Sequence, residues 1–290
     1  MPSSSPTNNP GTLYVVATPI GHRDDITLRA LKVLGKVDLV AAEDTRQTRK
    51  FLTLHGIRNR LVSYHEHNEA ERTPQLIAKL KSGVSVALVC NAGTPTVSDP
   101  GYRLVEAAAG SNLNIVPVPG VCAATALLSA AGMPTDAFIF AGFLAKKKIK
   151  RQKQLNELAT QPRTLIFYES PKRILALLHD LIDVMGDRRG VLGREITKLH
   201  EEIIRGRLSE IVGRLGGRTE IKGECTLLVA GSSGEENPSW QDVQQQIKVR
   251  VEQGHGSLSD IAREAAAASG IAKNRIYAEV LKISKELESG

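Results

Sequence analysis

Cysteines and long apolar runs are scarce in this sequence, and each scarcity excludes a class of protein. The 290 residues contain three cysteines, Cys90, Cys122 and Cys225, which lie far apart and form no CxxC or metal-ligand spacing. This spacing indicates a reducing compartment rather than a disulfide scaffold. No run of about 18 apolar residues could cross a membrane, and the polar start MPSSSPTNNPG has no apolar core for a signal peptide. We therefore predict a cytoplasmic protein with no membrane partner.

Several common catalytic and binding motifs are also missing. The sequence has no GxGxxG, no GxxxxGK[ST] and no GxSxG, so it gives no support for a dinucleotide fold, a P-loop or a hydrolase elbow. The stretch HEHNE places His65 and His67 two residues apart, on one face of a strand end. Glu66 and Glu69 are not arranged with them as metal ligands, and we predict no metal site.

The composition is that of a globular protein with a surplus of positive charge. Hydrophobic residues make up 41% of the chain and charged residues 24%, with a formal net charge of +7. A positive surplus favours an anionic partner such as RNA. It is equally compatible with an enzyme whose surplus charge keeps it soluble, and charge alone leaves both interpretations open.

Short β-rich runs alternate with helical patterns from Leu13 onward. Five such runs precede residue 120, which predicts a mostly parallel sheet covered by helices. Five more follow residue 134, and the direct step from GVLGREI to EEIIRG leaves room only for a hairpin-like turn. The fold class is therefore α/β, with two α/β domains, the first mostly parallel and the second mixed. The predicted bounds are a disordered lead-in over 1–11 and domains over 12–121 and 122–232.

A helical extension over 233–290 completes the predicted organisation. It follows GSSGEENPS (231–239), a linker-like run, and contains a helix, a turn at Gly270 and a second helix with Ile276, Val280 and Ile283 at helical spacing. This pattern is typical of a helix-turn-helix-like unit. Packing or dimer contact and nucleic-acid binding both remain open as its role.

Four unusual turns follow strand candidates in the first domain. They are TPIGHRDD (18–25), AEDTR (42–46), NAGTPTVSDPG (91–101) and VPGVCAAT (118–125). Ligands of open α/β sheets bind beyond the carboxyl ends of the strands, where glycine permits close backbone approach. Four such turns in one domain predict a binding site. Ser98 or Asp99 is also expected to cap the helix that follows.

Eight ordered motifs carry a resemblance to a known family. The motifs are TPIGHRDDITLRAL, AAEDTRQT, HEHNE, NAGTPTVSDPGY, PVPGVCAATALLSAAGMP, FAGFLAKK, RTLIFYESPKRI and GREITKLHEE, between about Gly11 and Gly231. In this order they resemble the bacterial small-subunit ribosomal RNA cytidine-2′-O-methyltransferases. That family belongs to the tetrapyrrole-methylase-like (class III) S-adenosylmethionine-dependent methyltransferases.

The resemblance implies a homodimer with S-adenosylmethionine in a cleft between the two α/β domains. By motif, the cofactor-binding residues are Pro19, Gly21, Asn91, Gly93, Thr94, Pro95, Ser98, Cys122, Ala123, Tyr168, Glu169, Gly223, Glu224, Thr226 and Leu227. The chain departs from the family at three places, with Asn91 for the usual Asp, His22 for Asn and Ala145 for Pro. Asn keeps an acceptor oxygen and the turn chemistry but loses the charge.

The expected reaction is in-line transfer of the cofactor methyl to a cytidine 2′-hydroxyl of small-subunit (16S) ribosomal RNA or the assembled subunit. Polar candidates for catalysis are Asp44, Arg46, His67, Glu69, Glu195 and Lys198, with Asp44 as base and Arg46 on a phosphate as the first choice. The run KKKIKRQK (146–153) predicts a phosphate-binding lip of Lys146, Lys147, Lys148, Lys150 and Arg151.

Two alternative functions remain at this point. The same fold could methylate a tetrapyrrole or a protein acceptor, or the chain could be a non-catalytic nucleic-acid-binding ligand sensor. The basic run and the AEDTR and YESPKR motifs argue against a tetrapyrrole acceptor. Turnover of the cofactor on RNA separates an enzyme from a sensor.

Overall fold

A computed structural model describes residues 9–232, 240–253, 256–269, 271 and 273–288. These residues form two compact units. The first contains the described residues up to Ala126 together with Glu195–Glu201, and the second contains Leu127–Arg194 and the described residues from Glu202 onward. The predicted domain bounds of 12–121 and 122–232 stay a prediction.

The N-terminal unit contains a five-stranded sheet in which every strand is parallel to its neighbours. The strands are β1 (Thr12–Val16), β2 (Leu39–Ala42), β3 (Leu61–Ser63), β4 (Val86–Val89) and β5 (Asn114–Val118). Their order is β3-β2-β4-β1-β5. All residues of β4 are buried, as expected for a central strand covered on both faces. The predicted parallel sheet of five strands is confirmed.

Helices cover both faces of this sheet. They are α1 (Leu28–Lys36), α2 (Thr45–Leu54), α3 (Glu69–Lys81) and α4 (Tyr102–Gly110). A further helix, α5 (Ala123–Ala131), follows β5 in the chain. The α1 and α2 helices share one hydrophobic cluster through Ala30, Leu34 and Leu52. The α3 and α4 helices share another through Leu76 and Leu104. The sheet therefore separates an α1/α2 layer from an α3/α4 layer.

The C-terminal unit contains a mixed sheet in the order β6-β7-β10-β8-β9. Its strands are β6 (Phe138–Phe143), β7 (Thr164–Glu169), β8 (Arg189–Arg194), β9 (Glu202–Arg207) and β10 (Cys225–Val229). Only β6 and β7 pair in parallel, whereas β7–β10, β10–β8 and β8–β9 are antiparallel. The expected mixed sheet and the β8–β9 hairpin are confirmed. The helices between the strands of this sheet are α6 (Lys148–Leu158), α7 (Ile174–Met185) and α8 (Leu208–Gly216).

Among the described residues, three further helices follow β10 and pack on one another. They are α9 (Trp240–Glu252), α10 (Leu258–Ser269) and α11 (Lys273–Glu288). Ile247, Ile261, Ile276 and Val280 lie in their shared core. The predicted helical extension is confirmed, while its predicted turn at Gly270 lies outside the described residues. No helix in the described part of the chain combines the length and apolarity needed to span a bilayer.

A three-residue ionic cluster joins the β8–β9 hairpin to the segment after α8. Arg218 contacts Glu202 through Nη2 to Oε1 at 2.5 Å and Nη1 to Oε2 at 2.8 Å, and Arg194 Nε donates to Glu202 Oε2 at 3.0 Å. The hydrogen bonds from Arg218, followed by those from Arg194, lower the pKa of Glu202 from 4.5 to about 2. Because the folded pKa lies below the unfolded one, the cluster stabilises the fold above pH 4.5.

Glu202→Gln is expected to reduce the free energy of unfolding by about 2 kcal/mol at neutral pH, allowing for partial exposure of the three side chains. The difference from wild type should shrink as the pH falls from 4.5 towards 2, where the wild-type carboxyl becomes protonated. Urea denaturation at several pH values measures both. Glu220→Gln, which removes the exposed pair with Lys222, is the control and should change stability little. A Glu202→Gln deficit that grows at low pH would contradict the assignment.

Candidate functional site

The four turns singled out in the sequence meet at one edge of the N-terminal sheet. Because all five strands are parallel, residues 18–25, 43–46, 90–101 and 119–123 all leave the sheet where its strands end. We call this the carboxyl edge. The four turns therefore lie at the same edge of the sheet, while their role as a binding site stays a prediction.

Hydrogen bonds link neighbouring turns of the carboxyl edge. Thr18 and Gly93 exchange two backbone bonds of 2.8 and 2.9 Å, which joins the turns after β1 and β4. The backbone N–H of Asn91 donates to Glu43 Oε2 at 3.0 Å, and Thr94 Oγ1 donates to the Val121 carbonyl at 3.1 Å. The turn after β4 is thus tied to three other turns, and it is the central element of the edge.

This central turn contains strained backbone. Thr96 has a φ of 74° and Ser98 a φ of 63°, in a region that side chains with a Cβ rarely adopt. Each such residue costs about 1–3 kcal/mol and persists where the surrounding structure holds it. Strain of this kind clusters at binding and catalytic sites, so the geometry supports a functional role for the turn.

The helix cap after this turn differs from the expectation. The α4 helix has Gly101 as its N-cap, at a φ of 134°, and no side chain caps it. A Cβ on Gly101 would lie 2.7 Å from Leu88 Cδ2, so glycine is required by both the φ and the close approach. The prediction that Ser98 or Asp99 caps α4 is wrong. Asp99 interacts with the Cys90 thiol rather than with the helix. Burial is the largest cause that raises the pKa of this thiol, the Asp99 carboxylate is the next, and the thiol therefore stays protonated.

Residues 195–201, between β8 and β9, belong to the N-terminal unit and contact the turn after β1. Thr197 Oγ1 accepts a hydrogen bond from the His22 amide at 3.0 Å. A Cβ on Gly21 would lie 2.5 Å from Lys198 Cγ and 2.7 Å from Thr197 Oγ1. Two residues of this segment, Glu195 and Thr197, have positive φ values of 52° and 65°. Thr197 was not among the predicted site residues, because its role depends on a contact 175 residues away.

The catalytic candidates occupy different parts of the N-terminal unit. Asp44 is the N-cap of α2, and its Oδ1 accepts from the Arg46 amide at 2.8 Å and the Gln47 amide at 3.3 Å. Arg46 is exposed in the first turn of α2. Glu195 Oε1 contacts Lys198 Nζ at 2.7 Å.

His67 lies farther along the same edge, after the outermost strand, β3. Its ring centroid is 6.0 Å from that of His65. Three strand spacings, about 14 Å, separate β3 from β1, so His67 is not grouped with the turn after β1. Within the described ranges, no three His, Cys, Asp or Glu side chains are grouped as metal ligands.

The candidates in the C-terminal unit lie on the paired strands β7 and β10. Tyr168 is opposite Thr226, and Glu169 is opposite Cys225. Glu169 is 2% exposed, and its Oε1 contacts Arg173 Nη2 at 2.5 Å and accepts from the Ser170 amide at 2.7 Å. Glu169 Oε2 is buried and has no hydrogen-bond partner among the described residues. A buried acceptor of this kind is suited to a ligand hydroxyl or amine.

The predicted phosphate-binding run needs one correction. Lys146, Lys147, Lys148 and Lys150 are exposed, but Arg151 is buried inside α6 with 5% exposure. Its Nε and Nη2 atoms each lie 2.6 Å from Asp180 Oδ2. Because this pair is buried, Arg151 anchors α6 to α7 and cannot also bind a phosphate. The prediction for Arg151 is wrong, and the lysines alone remain.

Comparison with known proteins identifies the family. The family model for tetrapyrrole (corrin/porphyrin) methylases matches residues 12–212. Curated relatives named "Ribosomal RNA small subunit methyltransferase I" include one from Micromonospora olivasterospora, 44% identical over 93% of this chain and 86% of the relative. Another, from Pseudomonas aeruginosa, is 45% identical over 94% of this chain and 97% of the relative.

Solved structures share the fold at lower identity. Uroporphyrin-III-C-methyltransferase from Thermus thermophilus has a TM-score of 0.55 at 23% identity, covering 77% of this chain and 96% of that one. A structure of the Thermus enzyme complexed with S-adenosylhomocysteine has a TM-score of 0.53 at 19% identity, covering 77% and 98%. From the family model and the identity to curated relatives, this chain belongs to the tetrapyrrole methylase family and, within it, to the ribosomal RNA small subunit methyltransferase I group.

Proposed function

We propose that this protein transfers a methyl group from S-adenosylmethionine to the 2′-oxygen of a cytidine ribose in small-subunit ribosomal RNA. The observation that carries the proposal is the 42–47% identity to relatives named as small-subunit ribosomal RNA methyltransferases. The cytidine and the 2′-oxygen come from the resemblance of the eight motifs. The solved uroporphyrin and cobalt-precorrin methyltransferases are only 18–23% identical, so they support the fold and give no argument for a tetrapyrrole acceptor.

The residues of the carboxyl edge fit S-adenosylmethionine by their chemistry. An adenosine and a sulfonium need backbone hydrogen bonds and apolar walls rather than a phosphate cradle. The turns after β1, β4 and β5 offer such backbone together with Pro19, Pro95 and Ala123. In the C-terminal unit, the unpartnered Glu169 Oε2 is an acceptor for a ligand hydroxyl or amine.

The residues proposed to hold the cofactor are those predicted from the sequence. They are Pro19, Gly21, Asn91, Gly93, Thr94, Pro95, Ser98, Cys122 and Ala123 in the N-terminal unit, and Tyr168, Glu169, Gly223, Glu224, Thr226 and Leu227 in the C-terminal unit. When bound, S-adenosylmethionine supplies a methyl group on a positively charged sulfur. Thr197 joins the set as the residue that fixes the turn containing Gly21 and His22.

Two tasks fall to the protein's own side chains in this reaction. Asp44 is the proposed base that takes the proton of the ribose 2′-hydroxyl, which general-base catalysis would accelerate about 10²–10⁴-fold. Its Oδ1 is occupied as the α2 cap, which leaves Oδ2 for the proton. Arg46, which is exposed in the first turn of α2, is proposed to bind a neighbouring phosphate. Holding both reactants in line contributes further through orientation.

Transfer of labelled methyl to purified small ribosomal subunits that lack the modification tests the proposal. Label mapped to a cytidine 2′-oxygen is the expected result. Label on a base nitrogen or carbon would overturn the 2′-oxygen assignment but keep the RNA substrate. Cofactor binding without any transfer to RNA, or transfer to a tetrapyrrole or protein instead, would overturn the function itself.

Gly21→Ala is expected to weaken S-adenosylmethionine binding about tenfold or more. The new Cβ would overlap Lys198 Cγ and Thr197 Oγ1, which displaces the turn after β1 from residues 195–201. Calorimetric titration measures the affinity. Gly35→Ala in α1 is the control, because its Cβ would meet nothing within 4 Å, and alanine is the better helix former. Equal affinities for both variants would remove the contact at Gly21 from the cofactor site.

Asp44→Asn separates the two roles of Asp44. Asparagine caps a helix about as well as aspartate, so the melting temperature should change little. As a base, however, asparagine is ineffective, and we expect turnover with saturating cofactor and RNA to fall about 10²–10⁴-fold. Single-turnover methyl transfer is the measurement. Near-normal turnover would exclude Asp44 as the base.

Lys146→Ala/Lys147→Ala is expected to weaken RNA binding and to flatten its dependence on salt. Each lost phosphate contact should lower the slope of log affinity against log salt by about 0.7–0.9. Both lysines are exposed at the start of α6, so cofactor affinity should not change. Fluorescence anisotropy with ribosomal RNA fragments measures the slope. A slope equal to that of wild type would exclude this lip.

A further inference from the structure

The α1 and α2 helices carry six cations and no acidic residue. All six side chains are exposed. They are Arg29, Lys32, Lys36, Arg46, Arg49 and Lys50. We call this surface the basic face. Of the six, only Arg46 has so far been given a role, and four of the other five (Lys32, Lys36, Arg49 and Lys50) lie outside the eight motifs.

The helical spacing places these charges together on the solvent side of one layer. In α1 they occur at positions 29, 32 and 36, and in α2 at 46, 49 and 50, which are spacings of three or four residues that share a helix face. Both helices bury their opposite sides in one hydrophobic cluster on the same face of the sheet. The α1 stripe alone is about 10 Å long, from seven residues at 1.5 Å each.

The charges of the basic face are not neutralised within the described chain. None of the six cations takes part in an ion pair with another described residue. The α3/α4 layer on the other side differs, because it contains Glu69, Glu71 and Glu106, and Glu69 contacts Arg103 at 2.8 Å. Along the chain, the acidic residues that flank α1 and α2 lie in the adjoining turns, at Asp24, Asp25 and Asp38 and in the turn after β2.

Such an arrangement costs stability unless an anion is bound. Like charges three or four residues apart destabilise a helix by about 0.2–0.5 kcal/mol per pair. Arg29 and Arg46 are each the second residue of their helix, where the positive end of the helix dipole disfavours a cation. A row of phosphates would relieve both effects.

We infer that the basic face binds the phosphate backbone of the ribosomal RNA substrate, beside the nucleotide that is methylated. The inference rests on the proposed function for the identity of the polyanion. Both helices begin at the carboxyl edge, and α2 begins directly at Asp44. RNA whose target ribose lies at Asp44 therefore meets Arg46 first and then the stripes of α2 and α1.

An anionic membrane fits this face less well than RNA. Insertion into a bilayer needs an apolar stripe beside the charges. The exposed leucines of the layer, Leu28 and Leu54, lie at the start of α1 and the end of α2. Because both helices run away from the carboxyl edge, the two leucines are at opposite ends of the layer and form no stripe.

The test compares three double variants of equal charge change, two in the basic face and one in α3. Lys32→Gln/Lys36→Gln removes two charges from the basic face, and Lys79→Gln/Lys81→Gln removes two exposed lysines from α3 on the other side of the sheet. Arg49→Gln/Lys50→Gln is a second variant of the basic face. Glutamine is a good helix former and removes like-charge repulsion from the basic face, so none of the three should lower the melting temperature. Each is titrated with purified small-subunit ribosomal RNA, without cofactor, from about 50 to 200 mM salt.

Both variants of the basic face are expected to bind RNA about tenfold more weakly at low salt and to lower the salt slope by about 1–2. The α3 variant should match wild type. Equal losses in all three would mean that net charge alone matters, and no loss in the basic-face variants would exclude the surface. Loss of binding to phosphatidylglycerol vesicles with RNA affinity unchanged would assign the face to a membrane instead. Because RNA binding is measured without methyl transfer, a wild type that binds RNA but transfers no methyl would overturn the proposed reaction and leave this result standing.

Discussion

Parallel hydrogen bonding of β3-β2-β4-β1-β5 forces the connections that follow all five strands of the N-terminal unit to one edge of the sheet. The residues proposed for the cofactor and for catalysis in this unit lie on those connections, apart from Glu195 and Thr197. Antiparallel pairing would have divided them between two edges. The buried central strand β4 carries the turn that is hydrogen-bonded to three other turns. The proposed site therefore depends on the parallel strand order of this sheet, whose two faces are packed by apolar side chains.

Strained backbone and close contacts between turns determine the geometry of the carboxyl edge. Thr96, Ser98 and Thr197 hold positive φ values that cost free energy, and they persist because neighbouring turns hydrogen-bond to one another. The contact between the Gly21 turn and residues 195–201 recruits a piece of chain from between β8 and β9 into the N-terminal unit. A site built in this way is organised before any ligand binds, which lowers the entropic cost of binding.

The strands, the helices and the family could be predicted from the sequence, whereas contacts between residues far apart in the sequence could not. Period-two and period-3.6 patterns located the strands and the helices, and the short step at residues 195–201 predicted the antiparallel β8–β9 pair. The burial of Arg151 depends on Asp180, which is 29 residues away, so a run of six basic residues could not reveal it. The cap of α4 was misassigned because Gly101 has a φ that no local pattern specifies. Thr197 was not predicted because its hydrogen-bond partner, His22, is 175 residues away in the sequence.

The two proposals place both ligands on the N-terminal unit, with RNA phosphates along the basic face of α1 and α2 and the cofactor at the carboxyl edge. The most direct test of the central claim is hydrogen exchange of the protein with and without S-adenosylhomocysteine. The account predicts slower exchange in residues 18–22, 91–98, 119–123 and 195–198, with no change at the opposite edge around Asp38 and Ser85. Protection confined to the opposite edge, or absent from the turn after β4, would contradict it.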